Sequence, residues 1–372
     1  MDRRERVGVK LDGIRVLDLS SFLPGPYLTL SMADHGADVL KIEAPGGDHG
    51  RHIQPSDGPH SVFFRNLNRG KRSVVLNLKD EGDHAAFLQL VDTADVIVES
   101  SRPGVAARLR IDYPMLSARN PRLVYCSISA FGQDGPYAGR AAHDLALEGV
   151  TGLLSMNVGS DGRPALPGIP IADVTAGLQG LAGVLMALLA RERTGRGDYI
   201  DISMQESLLG AMLNILGPTL AEGRQPDPRQ ERTTGGAAFY SAYDTADGRQ
   251  IVLAGQEEKF VRSLLAAIGR MDLADLCLRG PGEHQQPVCD ALQSWFSAMS
   301  AEEAAQFLKT IDVCWGPVNT LVEALDDPHL ADRGFLLTDV AGRRHIGPPI
   351  RFRDTPARPD LHIPALDEHG SR

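Results

Sequence analysis

Short runs of branched apolar residues alternate with amphipathic stretches through the first half of the chain. IRVLDLS (14–20), DVLKIE (38–43), SVVLNL (73–78), DVIVES (95–100) and LVYCSIS (123–129) are rich in Val and Ile and bounded by turn residues, which predicts strands. Between them, residues 26–36 and 81–94 carry the apolar spacing of helices. This alternation predicts βαβ units and a mostly parallel sheet, an α/β domain whose ligands bind beyond the carboxyl ends of the strands. Residues 173–195 read as one long buried helix, with Asp173 at its N-cap, basic residues near its end and Gly195 as the stop.

The second half changes character. Residues 221–236 are polar and turn-rich and read as a linker. A hairpin with an Asp-Gly turn is predicted over 239–255, with helices at about 257–268 and 302–310, making a small α+β domain. The tail from 347 is Pro-rich and extended, an arm rather than a core. The expected division is 1–220 for a large domain, 221–330 for linker and small domain, and 331–372 for an arm returning to the first.

Composition narrows the function classes. At 372 residues the chain is too long for one minimal core, and its 42% hydrophobic and 23% charged residues are those of a globular protein. A net charge of −10 argues against nucleic acid or an anionic membrane as partner. An anionic small molecule then requires local basic clusters. Two exist at strand–helix boundaries: Arg69, Lys71 and Arg72, and Arg102 with Arg108. A solvated surface face is the plainer explanation of both. The four cysteines, Cys126, Cys277, Cys289 and Cys314, show no C-x-x-C spacing, which fits a reducing compartment. The charged start has no secretory h-region, and the apolar run 178–190 is too short to span a bilayer, so cytoplasm is the default.

Familiar motifs are missing: there is no P-loop, no G-x-G-x-x-G after the first strand, no H-E-x-x-H and no G-x-S-x-G. No metal site is expected. What remains is a histidine beside a carboxylate, His143-Asp144, and a second carboxylate, Asp173, thirty residues on. An imidazole titrates near neutrality and suits proton transfer. An Asp before a helix is equally explained as a cap, and a lone His as a core or capping residue.

Taken together, LDGIRVLDLS, GPYLTLSMADHGADVLKIEAPGGD, NRGKRSVVLNLK, DVIVESSRPGVAARL, NPRLVYCSISAFGQDGP, PIADVTAG and RTGRGDYIDISMQES resemble the family III CoA-transferase (CaiB/BaiF) superfamily. The closest motif match is to α-methylacyl-CoA racemase. The resemblance runs nearly end to end. It implies a Rossmann-like large domain, a smaller domain and an interlocked homodimer. It also implies an acyl-CoA substrate, with coenzyme A entering as part of the thioester and no permanently bound cofactor.

The family has two chemistries. In transferases the carboxylate at the Asp173 position attacks a thioester and passes through an anhydride and an aspartyl-CoA thioester. In racemases the residues at His143 and Asp173 exchange the α-proton on opposite faces, and Glu257 occupies the place of a carboxylate partner to the histidine. Asp144 would orient that pocket. The resemblance places CoA contacts at Arg108 and Arg102, at Leu76, Asn77, Leu78 and Lys79, and at Ser100, Ser101 and Ala142.

His143, the FLPGP segment with Leu23 and Pro24, and the Glu257 segment tilt the expectation toward epimerisation of a 2-methylacyl-CoA. CoA transfer through Asp173 is the alternative, and a non-catalytic CoA-binding protein a further one. Two departures stand out: Leu147 replaces a racemase tyrosine, and Ala44 stands where a basic residue would meet CoA.

Overall fold

The computed structural model of the chain describes residues 8–159 and 161–370; the charged start, read as lacking a leader, falls in residues 1–7 and lies outside them. Six strands build the central sheet: β1 (Arg15–Asp18), β2 (Asp38–Glu43), β3 (Arg72–Val75), β4 (Val96–Glu99), β5 (Val124–Ser129) and β6 (Tyr199–Ser203). Their spatial order is β3-β2-β1-β4-β5-β6, and every pair is parallel. β4 and β5 are buried at every position, as continuous Val/Ile runs covered on both faces must be. The order reverses between β1 and β4, so a crevice opens there at the strands' carboxyl ends.

Helices cover both faces: α1 (Pro24–Asp34), α2 (Val62–Asn68), α3 (Glu81–Val91), α4 (Val105–Arg108), α5 (Tyr113–Arg119), α6 (Asp144–Val150), α7 (Ile171–Thr194) and α8 (Met204–Ala211). α7 starts two residues before the expected cap. Asp173 is therefore the third helical residue, and the N-cap position is Pro170, which has no side chain able to accept. The orphan N–H groups of Ala172 and Asp173 donate instead to Asp144 Oδ1, at 2.7 and 3.3 Å. The cap came from another element, which a local reading of 173–195 had no means to see.

α7 is long and apolar enough to cross a membrane by length and composition, with mean hydropathy 1.6 in its best window. It exceeds the 178–190 run because small residues extend its apolar character. Those residues serve packing. A Cβ at Gly177 would lie 2.7 Å from the Pro24 carbonyl oxygen, and one at Gly180 would lie 2.8 Å from Leu28 Cδ1. Only glycine lets α7 approach α1 this closely, and that approach sets Asp173 beside the loop entering α1.

The described part of Met1–Thr151, with Pro167–Ala211 and the described part of Pro328–Arg372, forms one compact unit. The C-terminal arm is held along this unit by backbone bonds: Gly70 N–H donates to His362 O, His369 N–H to Ser73 O, and Arg358 N–H to Asp34 O. Gly152–Leu166 and Met212–Asp327 form a second unit. It contains an antiparallel sheet of β7 (Tyr240–Asp244), β8 (Gln250–Ala254) and β9 (Trp315–Pro317), packed with α9 (Glu258–Ala267), α10 (Gln286–Phe296) and α11 (Ala301–Leu308). Phe239, Tyr243, Ile251, Leu264, Leu292 and Phe296 make its core.

Candidate active site

A cavity of about 720 Å³ opens at the switch point of the sheet. The loop after β1 supplies Ser21, Phe22 and Leu23, and the loop after β4 supplies Ser100, Ser101 and Arg102. Ile128 to Ala130 at the end of β5 line it too, with the segment Ala138 to His143 and Asp173 from α7. The loop after β1 turns tightly: a Cβ at Gly25 would sit 2.2 Å from the Ser20 side chain, so the PGP segment requires its glycine.

Phe22 holds a left-handed backbone with φ 61°, sparsely populated for a bulky side chain. Its ring stacks on His49 at 5.6 Å and meets His143 edge-on at 5.9 Å. Buried charges clamp the residues before it. Asp18, at the end of β1, accepts from the Ser20 N–H and hydroxyl, and Lys41 Nζ donates to the Ser20 carbonyl at 2.9 Å. The local strain is thus opposed by an ionic anchor directly beneath it.

Asp173 is the most perturbed acid of the cavity. Burial, and then the charge of Asp144, push its carboxyl up to about 7. Asp144 itself caps α7 rather than lining the cavity. His143 occupies the N-cap position of α6, its carbonyl accepting from Ala146 and Leu147 while its ring lines the cavity. The structure therefore brings together His143, Asp173, Ser100, Ser101, Arg102 and Ala142.

Other expected residues stand elsewhere. Arg108 is exposed on α4, and Asn77 and Lys79 are exposed in the turn after β3, all outside the cavity lining. Leu76 is buried in the core and Leu78 packs against it. Glu257 belongs to the second unit, where it is the exposed N-cap of α9. Leu147 is fully buried and does not line the cavity.

In the basic cluster at 69–72, Arg69 and Lys71 are buried against carboxylates, and Arg72 stays on the solvated face. Arg69 forks onto Asp34, Lys71 pairs with Asp18 at 2.9 Å, and Arg72 forks onto Asp38. Each is matched to a carboxylate of α1, β1 or β2. The reading of residue types missed Phe22, Ile53, Phe63 and Arg140, which line the cavity. Arg140 stood three residues before His143, where a cation close to the candidate pair was the available signal.

A six-stranded parallel sheet thus carries, in the cavity at its switch point, a carboxyl that burial holds well above its ordinary range. The model for CoA-transferase family III matches residues 11–370, and the chain belongs to that family. It is 37% identical to acetyl-CoA:oxalate CoA-transferase of Acetobacter aceti, over 97% of this chain and 94% of that one. It is 34% identical to succinyl-CoA:mesaconate CoA-transferase of Haloarcula marismortui, over 96% and 94%. A crystal structure of a CaiB/BaiF family protein from Brucella suis superposes with TM-score 0.85 at 31% identity, covering 98% of each chain. The Acetobacter and Haloarcula relatives carry the names of CoA-transferases, which accord with the transfer alternative rather than with epimerisation.

Proposed function

We propose that the protein transfers coenzyme A from an acyl-CoA to a carboxylic acid, with Asp173 as the nucleophile. The observation that carries this reading is the desolvated Asp173 carboxyl in the switch-point cavity. A carboxylate poorly solvated by water is more basic and more nucleophilic than one in solution. It attacks the thioester carbonyl, the C–S bond breaks, and CoA thiolate leaves as an acyl-aspartyl anhydride forms. The thiolate then attacks the Asp173 carbonyl, giving an aspartyl-CoA thioester and releasing the donor acid. An acceptor carboxylate attacks that thioester, and the thiolate returns to the acceptor's carbonyl, restoring Asp173. Arg102 and Arg140, cations of the cavity wall, suit the carboxylates that enter and leave, and His143 lines the same cavity as Asp173.

The remaining expectations join this proposal: CoA contacts at Arg108 and 76–79, a role for Glu257, and the division into a CoA-binding domain, a small domain and a returning arm. A homodimer is part of it as well. Leu178, Leu185, Met186 and Leu189 leave an exposed apolar stripe along α7, which a second copy would cover.

Epimerisation stays as the second reading because His143 and Asp173 share one cavity. Incubation with acyl-CoAs in D₂O, with and without carboxylic acids, separates the two. Transfer gives a new acyl-CoA only with an acceptor, and an Asp173 adduct trapped by hydroxylamine. Epimerisation washes deuterium into the α-carbon with no second acid, and His143→Ala abolishes that exchange. Exchange without any adduct would overturn the transfer reading.

The reactive form of Asp173 also sets a pH dependence. Only the carboxylate attacks, so kcat/KM falls about tenfold per pH unit below the Asp173 midpoint near 7 and is level above it. An acid limb near 4 instead would show that Asp173 is solvated during the reaction.

A further inference from the structure

Glu148 lies on α6 one helical turn after Asp144. It is 1% exposed, and both its carboxyl oxygens are shut off from water; the Asp144 carboxyl and the Ile171 N–H are the polar groups that approach them. An ionised carboxylate in such a place is costly unless a cation meets it. None is offered: α6, α8 and residues 171–190 of α7, the helices packed together here, contain no Lys, Arg or His. His143 precedes α6 and turns its ring to the cavity, and the one charge on α8, Glu206, is exposed. The acids within this packing are Asp144 and Asp173. Burial, followed by the charge of Asp144, raises the Glu148 carboxyl above its ordinary range.

Asp144 Oδ1 is committed to the N–H groups of Ala172 and Asp173. Its other oxygen is the anionic acceptor within the packing for a proton held on Glu148. We infer that Glu148 is a positioning residue: as a neutral acid it donates its proton to Asp144 Oδ2, steadies that carboxylate against the start of α7, and so fixes the place of Asp173 in the cavity. This rests on the reading of Asp173 as the nucleophile. A chain of three carboxyls then leads from the core to the reacting atom.

The test compares Glu148→Gln with Glu148→Leu in the full-length protein. Gln keeps a neutral donor toward Asp144; its kcat is expected within about threefold of wild type, with the Asp173 titration unmoved. Leu keeps the volume without the donor. Its kcat should fall about ten- to a hundredfold at unchanged KM for the acyl-CoA, because the nucleophile is misplaced rather than the substrate site. The Asp173 midpoint should shift by about half a pH unit or more. That midpoint is read by difference infrared titration, assigned with Asp173→Asn, and it reports on the carboxyl whether or not the protein transfers CoA. Failure of the transfer reading is therefore distinct from failure of this one. Gln as damaging as Leu, or a Leu variant with kcat and midpoint unchanged, would overturn the assignment.

Discussion

Replacing Asp173 with Asn is expected to remove CoA transfer by roughly 10⁴-fold or more, because among the described residues no other carboxylate lines the cavity to accept the acyl group. Hydroxylamine should trap nothing, while acyl-CoA binding, measured by calorimetry, should persist, since the amide has nearly the same shape. The same change should stabilise the fold. The Asp173 carboxyl is raised from 3.8 to about 7, first by burial and then by Asp144. A carboxyl raised on folding favours the folded state fully below its unfolded pKa, and that contribution is lost as pH rises through 7. At pH 8 the ionised carboxylate works against the fold by about 2–4 kcal/mol, and Asn carries no such charge. Denaturant midpoints should thus show the variant more stable than wild type at pH 8, with the two converging near pH 4. Equal stability at both pH values would mean that Asp173 is not desolvated. Retained transfer would remove it as the nucleophile.

Much of this site was legible because parallel sheets announce themselves locally. Five of the six sheet strands are Val/Ile runs between turns, and any ligand of such a sheet belongs at the carboxyl ends. β6 escaped because YIDIS is only half apolar, alternating toward the partly open edge of the sheet. Asp173 and His143 were found as residue types at element boundaries, yet their surroundings were not. That Asp144 caps a helix twenty-eight residues away, or that Lys71 is buried against Asp18 rather than open to a phosphate, depends on which strand lies beside which. Charge clusters in sequence say where cations are, and only the fold says which carboxylates they meet. Glu148 was invisible for the same reason: an exposed helical glutamate and a buried one look alike in LALEG.

Asp18→Ala is expected to destabilise the protein by about 3–5 kcal/mol, the effect of stranding buried cations. Asp18 is fully buried, and it accepts from Lys71 Nζ at 2.9 Å, from Thr29 Oγ1 at 2.7 Å and from Ser20. Burial alone would raise its carboxyl; the ammonium groups of Lys71 and Lys41 outweigh that and hold it well below the usual carboxylate range. A carboxyl lowered on folding stabilises above its unfolded pKa and loses that contribution as pH falls through the folded one. Burial lowers the Lys71 ammonium to about 8, so the gap between wild type and variant should be full from about pH 5 to about 8, narrow above that, and close in strong acid. Lys41 keeps Asp48 at 2.7 Å, so Lys71 is the ion left without a carboxylate partner. Asp18→Leu with Lys71→Met removes both members of that pair, and it should recover most of the lost stability in urea titrations. It should not recover the rate. Without Asp18 the Ser20 N–H and hydroxyl lose their acceptor, Phe22 is free to leave its left-handed conformation, and the wall against His143 loosens. A double variant that regained both stability and turnover would show that the buried pair holds the sheet together but has no part in shaping the cavity.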